Sequence, residues 1–151
     1  LDYARSQEAG GRVLAATLVD GGFARDSLAD AAVEREREHP TGLALGDGGP
    51  NAAIPHADIE HVIAPAIAVG VLAAPVGFNR MDVVDETIPV RLVLLLALPA
   101  MRRIADHTPD AESQLAALRE VAALLQDQES IAAILAATSV DAVVSVLGGL
   151  P

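Results

Sequence analysis

The run VRLVLLLAL, at residues 90–98, constrains the fold more than any other segment of the chain. Arg91 is its only charged residue, and its apolar residues do not alternate with polar ones as in a half-exposed strand. Such a run is too short to cross a bilayer as a helix, but it is typical of a strand that is buried on both faces. The run therefore predicts a central strand that is covered by helices.

The segments before and after this run have the residue spacing of further strands and helices. A second apolar run, at residues 66–72, has turn signals on both sides and predicts another buried strand. Two helical segments begin at good N-cap residues, Asp26 or Ser27 in the first and Ser139 in the second. Helical spacing of apolar residues predicts helices over residues 6–19, 26–38, 110–126, 131–137 and 140–147.

The predicted connections are rich in glycine and proline. Residues 39–51, with the sequence HPTGLALGDGGPN, are predicted to form a loop. Residues 78–86 join the two predicted strands, and Val83 and Val84 could form an edge strand there. A chain of 151 residues with helices first, strands in the middle and helices last predicts one α/β or α+β domain with a central sheet.

Composition and charge limit the partners and the chemistry. The formal net charge of −11 argues against nucleic acid or an anionic membrane as the main partner, because both attract basic surfaces. All ten basic residues are arginine and cysteine is absent, which excludes a lysine Schiff base, a P-loop lysine, a disulfide and a cysteine nucleophile. The sequence LDYARSQEAGGR lacks the pattern of a signal peptide. We expect a cytoplasmic protein without direct membrane insertion.

The stretch NAAIPHADIEH, at residues 51–61, contains the strongest candidate for a functional residue. Pro55 fixes its own φ and restricts Ile54 to extended geometry. An extended apolar segment therefore reaches the surface and ends at His56, where sheet folds commonly present reactive groups.

Three interpretations of His56 remain open from these residues alone. It could bind a metal together with Asp58 and His61, although their spacing matches no strong zinc motif. It could act as a general acid or base, because imidazole titrates near neutral pH. It could also be a nucleophile that accepts a transferable group such as a phosphoryl.

Three segments carry a resemblance to a known family. They are REREHPTGL at residues 35–43, IPHADIEHVIAPAIAVGVL at 54–72 and VRLVLLLALP at 90–99. In this order they resemble the EIIA domain of the bacterial phosphoenolpyruvate-dependent sugar phosphotransferase system (PTS), fructose–mannitol type, and are most similar to its galactitol branch. The resemblance covers about residues 5–148. It implies an α/β fold: one domain over residues 1–151, with a central mixed β-sheet flanked by α-helices on both faces.

The resemblance also implies a function. His56 would accept a phosphoryl group from the phosphohistidine of the carrier HPr and pass it to a cysteine of EIIB, which serves the membrane component EIIC. No cofactor and no metal are implied. The sugar, galactitol or another hexitol or a pentitol, is selected by the membrane component. Alternatives are a regulatory module whose phosphorylation state a partner senses, and a metal-binding domain.

Further site residues follow from the same resemblance. Arg35 corresponds to the family's arginine near the active histidine, and Arg37 is the alternative if the register differs. Thr41 could donate its hydroxyl to the phosphoryl oxygens or only form a turn after Pro40. Gln114 stands where many members carry a second histidine, and it could donate a hydrogen bond to phosphate.

The surroundings of His56 in the sequence suggest two further expectations. Asp58, Glu60 or a backbone carbonyl would accept a hydrogen bond from the imidazole and so select its tautomer. His107 could reach the site only if its loop folds back. Partner proteins need an apolar surface around the histidine, to which Leu43 and Leu45 could contribute unless they are in the core.

Overall fold

The computed structural model describes residues 7–45, 51–57, 59–64, 66–97 and 119–148. Within these ranges the strands are β1 (Gly42–Leu43), β2 (Ala52–Ala53), β3 (Ala66–Asn79) and β4 (Thr87–Ala97). The helices are α1 (Gln7–Asp20), α2 (Leu28–Glu38), α3 (residues 119–126), α4 (Gln128–Ala136) and α5 (Val140–Gly148), and a 3₁₀ turn covers Ile59–His61.

The described strands form one mixed sheet in the order β1-β2-β4-β3. The short strand β2 is parallel to β4, with Ala52 beside Leu92 and Ala53 beside Val93. The other two pairs, β1 with β2 and β3 with β4, are antiparallel. Because β2 and β4 point the same way, their carboxyl ends meet at one edge of the sheet, and this edge carries the site described below.

The pairing of β3 with β4 contains an irregularity near Arg91. Val71 is opposite Leu92, yet the next pair is Val76 with Val90, so β3 holds three more residues than β4 in this interval. The Arg91 guanidinium Nε donates to the Leu72 carbonyl at 2.9 Å, inside the interval. The one charged residue of the apolar run thus hydrogen-bonds a backbone carbonyl where the ladder is interrupted.

Helices cover both faces of the sheet. On one face α1 and α2 bury Leu14, Leu18 and Leu28 against a cluster that includes Val93 and Leu95 of β4. On the other face α3 and α4 enclose the alternate side chains of β4. That second cluster contains Ala52, Leu92, Leu94, Leu96, Leu124, Ile131 and Ile134. With helices on both faces of a mixed sheet, the predicted α/β fold class is confirmed.

Most of the predicted elements are present with shifted ends. The strand predicted at residues 66–72 continues to Asn79, and the one predicted at residues 90–98 begins at Thr87. Ser139 caps α5 as expected, since its hydroxyl accepts the Ala142 N–H at 3.1 Å. The helix predicted from residue 110 is described only from residue 119 onward.

Two local predictions were wrong. The predicted loop at residues 39–51 contains β1, because Gly42 and Leu43 pair with Ala53 and Ala52. Val83 and Val84 form no edge strand. They lie exposed in a turn in which the Glu86 N–H donates to the Val83 carbonyl at 2.9 Å.

None of the helices within the described ranges is both long and apolar enough to cross a membrane.

Candidate functional site

His56 lies at the edge of the sheet where the parallel strands β2 and β4 end. The Pro55 carbonyl accepts the Leu96 N–H at 2.9 Å, and His56 forms an isolated parallel bridge with Leu96. This continues the β2–β4 register past the last residue of β2. The backbone at the histidine is therefore held by the central strand β4, at the end of the extended segment that the sequence predicts before Pro55.

A backbone carbonyl selects the tautomer of the half-buried His56 ring. Its Nδ1 lies 3.1 Å from the Ile54 carbonyl oxygen. A carbonyl can only accept, so Nδ1 is the protonated nitrogen and Nε2 carries the lone pair in the neutral ring. Of the three expected acceptors, the backbone carbonyl is the one that the structure places beside Nδ1, and Asp58 lies outside the described residues.

The end of α2 is connected to the segment before His56 by a buried carboxylate. Glu36 accepts from the Thr41 N–H at 2.9 Å and from the Thr41 hydroxyl at 2.7 Å. The same hydroxyl oxygen lies 3.2 Å from the Ile54 N–H, which also points at the Thr41 carbonyl at 3.4 Å. Burial raises the pKa of Glu36, and the two bonds from Thr41 partly oppose that rise.

The two candidate arginines occupy different environments. Arg35 is half-buried in the last turn of α2, beside Glu36, and so belongs to the turn that contacts the segment before His56. Arg37 is exposed and pairs with Glu8 of α1 at 3.1 Å and with Glu34 at 3.5 Å. Arg37 is thus engaged by carboxylates of α1 and α2, and the role of Arg35 at the site stays a prediction.

His61 is part of the scaffold on the other side of the site. Its Nδ1 lies 2.8 Å from the Ser27 hydroxyl, at the start of α2, and its Nε2 lies 3.4 Å from a Glu60 carboxylate oxygen. Its carbonyl accepts the Arg25 N–H at 3.0 Å. These contacts connect the 3₁₀ turn after His56 to the segment between α1 and α2.

A metal site has no support among the described side chains, where no group of three His, Asp or Glu residues could hold a metal ion. Asp58, one member of the metal site considered from the sequence, lies outside the described residues. Gln114 and His107 also lie outside them. Their predicted roles stay predictions.

Gly42 of the PTGL segment permits a close approach of two backbone segments. A Cβ built on Gly42 would lie 2.6 Å from the Asn79 carbonyl oxygen, a distance that real Cβ atoms do not adopt. The Met81 N–H donates to the Gly42 carbonyl at 2.9 Å. A side chain at this position would push the β3–β4 hairpin away from β1.

A cavity of about 220 Å³ lies behind the site. Pro55 and Glu36 form part of its wall, so it borders both the histidine segment and the buried carboxylate. Its other lining residues are Glu8, Gly11, Ala32, Val33, Arg37 and Phe78.

The role of Glu36 was missed from the sequence. The available signal was its position five residues before Thr41, on the apolar side of an otherwise charged helix end. Burial beneath β1 was not predictable, because β1 itself was taken as loop.

The structure thus places a histidine with a defined tautomer where two parallel strands of a mixed sheet end, and comparison with known families identifies the class of protein. The family model described as "Phosphoenolpyruvate-dependent sugar phosphotransferase system, EIIA 2" matches residues 4–148. The chain belongs to this family.

A curated relative and two solved structures illustrate the similarity. The fructose-specific EIIA component of the PTS from Haloferax volcanii is 37% identical over 76 residues, which are 50% of this chain and 44% of that protein. The chain thus spans less than half the length of this relative.

The structural neighbours show the fold. Mannitol enzyme IIA of Escherichia coli, in complex with phosphorylated enzyme IIB, has a TM-score of 0.71 and 23% identity over 97% of this chain and 90% of that one. Nitrogen regulatory protein IIA of Neisseria meningitidis has a TM-score of 0.62 and 22% identity, over 94% of this chain and 86% of that one. A particular affinity to the galactitol branch stays a prediction.

Proposed function

We propose that this chain is the phosphocarrier EIIA component of a PTS and that His56 is its phosphoryl acceptor. The hydrogen bond between Nδ1 and the Ile54 carbonyl carries the proposal. It leaves Nε2 as the nucleophilic nitrogen of the neutral ring, at the sheet edge where a partner can approach. The donor is the phosphohistidine of HPr, and the acceptor is a cysteine of EIIB.

The transfer has a simple balance of bonds. The Nε2 lone pair attacks phosphorus, a new N–P bond forms, and the donor N–P bond breaks with its electron pair returning to the donor imidazole. Nδ1 of His56 keeps its proton, so the phosphorylated ring is positively charged, and the Ile54 carbonyl stabilises that charge. In the second transfer an EIIB thiolate attacks phosphorus and the pair returns to Nε2. Orientation and charge stabilisation supply most of the catalysis.

Arg35 is proposed to stabilise the phosphoryl oxygens. Its planar guanidinium can donate two parallel hydrogen bonds to such a group. Gln114 is proposed as a further donor. The hydroxyl of Thr41 already donates to Glu36, so it would have to leave that acceptor to reach a phosphoryl oxygen.

Family membership and the structural neighbours support the proposed partner proteins. The E. coli mannitol enzyme IIA was solved with phosphorylated enzyme IIB, which is consistent with EIIB as the acceptor for this chain. The Haloferax relative is fructose-specific, whereas the sequence segments favour galactitol, another hexitol or a pentitol. We propose a cytoplasmic carrier for one of these sugars, selected by the membrane component.

The proposal is tested by phosphoryl transfer from labelled phosphoenolpyruvate through enzyme I and HPr. We expect label on the wild type and on the control His61→Ala, and none on His56→Ala. NMR of the labelled protein should place phosphorus on Nε2 of His56. Undiminished labelling of His56→Ala, or phosphorus on Nδ1, would contradict the proposal.

A regulatory module is the second candidate, and the similarity to nitrogen regulatory protein IIA supports it. The two functions differ in the fate of the phosphoryl group. A carrier passes the labelled phosphoryl group quickly to an EIIB protein, whereas a regulator retains it. Retention of label in the presence of several purified EIIB proteins would favour the regulatory module.

A further inference from the structure

We propose that Glu36 and Thr41 are positioning residues that hold Ile54, and through it the imidazole of His56, in the orientation required for transfer. The importance of this for phosphoryl transfer depends on the proposed function. The effect on the tautomer of His56 does not, so it can be measured independently.

The first link is the attachment of Thr41 to Glu36. The two carboxylate oxygens accept one bond each, from the backbone N–H and from the hydroxyl of Thr41. Both residues are buried, Glu36 being 8% and Thr41 2% exposed. Two bonds to a buried acceptor leave Thr41 little freedom to rotate, because breaking either leaves a buried polar group without its partner.

The second link is the attachment of Ile54 to Thr41. Since the Thr41 hydroxyl hydrogen points to Glu36, the oxygen lone pairs are available to accept the Ile54 N–H at 3.2 Å. The donors therefore run in one direction, from Ile54 to Thr41 to Glu36. Glu36 controls which way the hydroxyl points, and the hydroxyl oxygen is the nearer of the two acceptors of the Ile54 N–H, the Thr41 carbonyl being the other at 3.4 Å.

The third link is the attachment of the imidazole to Ile54. The N–H and the carbonyl of Ile54 belong to different peptide groups, so the link is geometric. Pro55 keeps Ile54 extended, and the Pro55 carbonyl is held by Leu96 at 2.9 Å. Thr41 holds the N–H of Ile54, and Leu96 holds the carbonyl of Pro55. Because both sides of the Ile54–Pro55 peptide are held, the Ile54 carbonyl points toward Nδ1 of His56.

A buried carboxylate is costly to keep, as the raised pKa of Glu36 indicates. An apolar residue would cover the end of α2 at lower cost. Only a pair of acceptor oxygens can orient both the N–H and the hydroxyl of Thr41, and this agrees with a role in positioning.

The test uses Thr41→Val, which keeps the shape of the side chain and removes the hydroxyl, and Thr41→Ser, which restores it. Thr87→Val is the matched control, because Thr87 also donates to a side chain, Asn79 at 2.8 Å, but takes no part in the hydrogen bonds of Glu36 and Ile54. Long-range ¹H–¹⁵N NMR of the His56 ring reports which nitrogen is protonated. We expect a single Nδ1–H tautomer in the wild type, in Thr41→Ser and in Thr87→Val.

In Thr41→Val we expect a mixture of tautomers and phosphorylation by phospho-HPr that is about tenfold slower, the size expected for one lost hydrogen bond. Glu36→Gln is a second variant should Thr41→Val not fold. It keeps an acceptor for the Thr41 N–H but turns the hydroxyl hydrogen away, so we expect an intermediate tautomer mixture.

An unchanged tautomer in both Thr41→Val and Glu36→Gln would overturn the proposal, and so would failure of Thr41→Ser to restore it. If the tautomer shifts as expected but the wild type accepts no phosphoryl group, the positioning role stands and the phosphocarrier function fails.

Discussion

Among the residues that the structure describes, Glu36 is the titratable side chain that is buried. Burial is the main cause of its raised pKa, and the bonds from Thr41 oppose it. A raised carboxylate pKa means that the folded protein holds its proton at a pH where the unfolded chain has released it. Stability due to this group is therefore present at low pH and is lost as the pH rises from 4.5 through the folded pKa.

The first prediction concerns this pH dependence. We expect the free energy of unfolding of the wild type to fall relative to Glu36→Gln as the pH rises above 4.5, by at most about 1.4 kcal/mol per pH unit for one proton. Urea unfolding across pH 4.5 to neutral pH measures the difference.

Among the described residues, two other carboxylates have shifted pKa values, and neither interferes with this measurement. Hydrogen bonds lower the pKa of Asp82, chiefly from Arg80, and of Asp127, chiefly from Ser130. Their contributions change below pH 3.8, the ordinary value for aspartate. A difference between wild type and Glu36→Gln that is flat, or that rises with pH, would contradict the assignment.

At the residue scale, the display of His56 at the end of an extended segment could be predicted from the sequence, whereas the burial of Glu36 could not. The Pro55–His56 order and the flanking segments indicate a displayed histidine without any tertiary information. The role of Glu36 depends on the depth at which the end of α2 lies, and a charged helix end gives no local sign of that depth.

At the scale of elements, α1 contains two glycines in its interior, where glycine lowers helix stability. A Cβ built on Gly11 would meet no atom within 4 Å, because this residue borders the cavity behind the site. Both Gly10 and Gly11 are buried. Neither has a positive φ, so the conformation of the backbone does not require glycine.

The second prediction follows from the free space around a Cβ at Gly11. Gly11→Ala should raise the free energy of unfolding by about 0.5–1 kcal/mol, because alanine loses less backbone entropy in a helix. Chemical denaturation monitored by circular dichroism measures it. Gly42→Ala is the contrasting variant and should be destabilising, since its Cβ would lie 2.6 Å from the Asn79 carbonyl oxygen. Equal effects of the two substitutions would contradict the structure.

The strand β4 shows what the spacing of apolar residues in the sequence cannot predict. The apolar run predicted β4, yet it did not reveal that the side chains change face near Arg91. Val90 belongs to the cluster under α1, whereas Leu92 belongs to the other cluster. The change coincides with an unpaired stretch of β3, and the spacing of apolar residues in one strand contains no information about the register of its partner strand.

At the scale of the whole molecule, β4 connects the two halves of the core. Leu95 is fully buried in the cluster under α1 and α2, and Leu94 is 1% exposed in the cluster under α3 and α4. Because adjacent residues of one strand serve opposite faces, neither cluster can lose its packing without disturbing β4.

The third prediction is that Leu94→Ala and Leu95→Ala each lower the free energy of unfolding by about 2–5 kcal/mol. Both variants should unfold in one transition with the urea dependence of the wild type. Val140→Ala, at a side chain that is 79% exposed, is the control and should change little. Two separate transitions, or a loss confined to one leucine variant, would show that the clusters are independent.

The layered α/β architecture could be predicted because it rests on local composition. A continuous aliphatic run must be covered on both faces, and the helical segments before and after it have apolar faces that must be buried. The same is true of His56, whose display depends on the neighbouring proline and on a short extended segment.

The connections between distant residues were decided only by the tertiary structure. They include the two-residue strand β1, the parallel pairing that holds His56 beside Leu96, and the Glu36–Thr41–Ile54 contacts. Each depends on where separate segments meet, so its free energy comes from non-local pairing and burial. The sequence by itself predicted the layers and the position of His56 at the end of an extended segment. The fold determined the tautomer of His56 and the contacts of Glu36 with Thr41 and of Thr41 with Ile54.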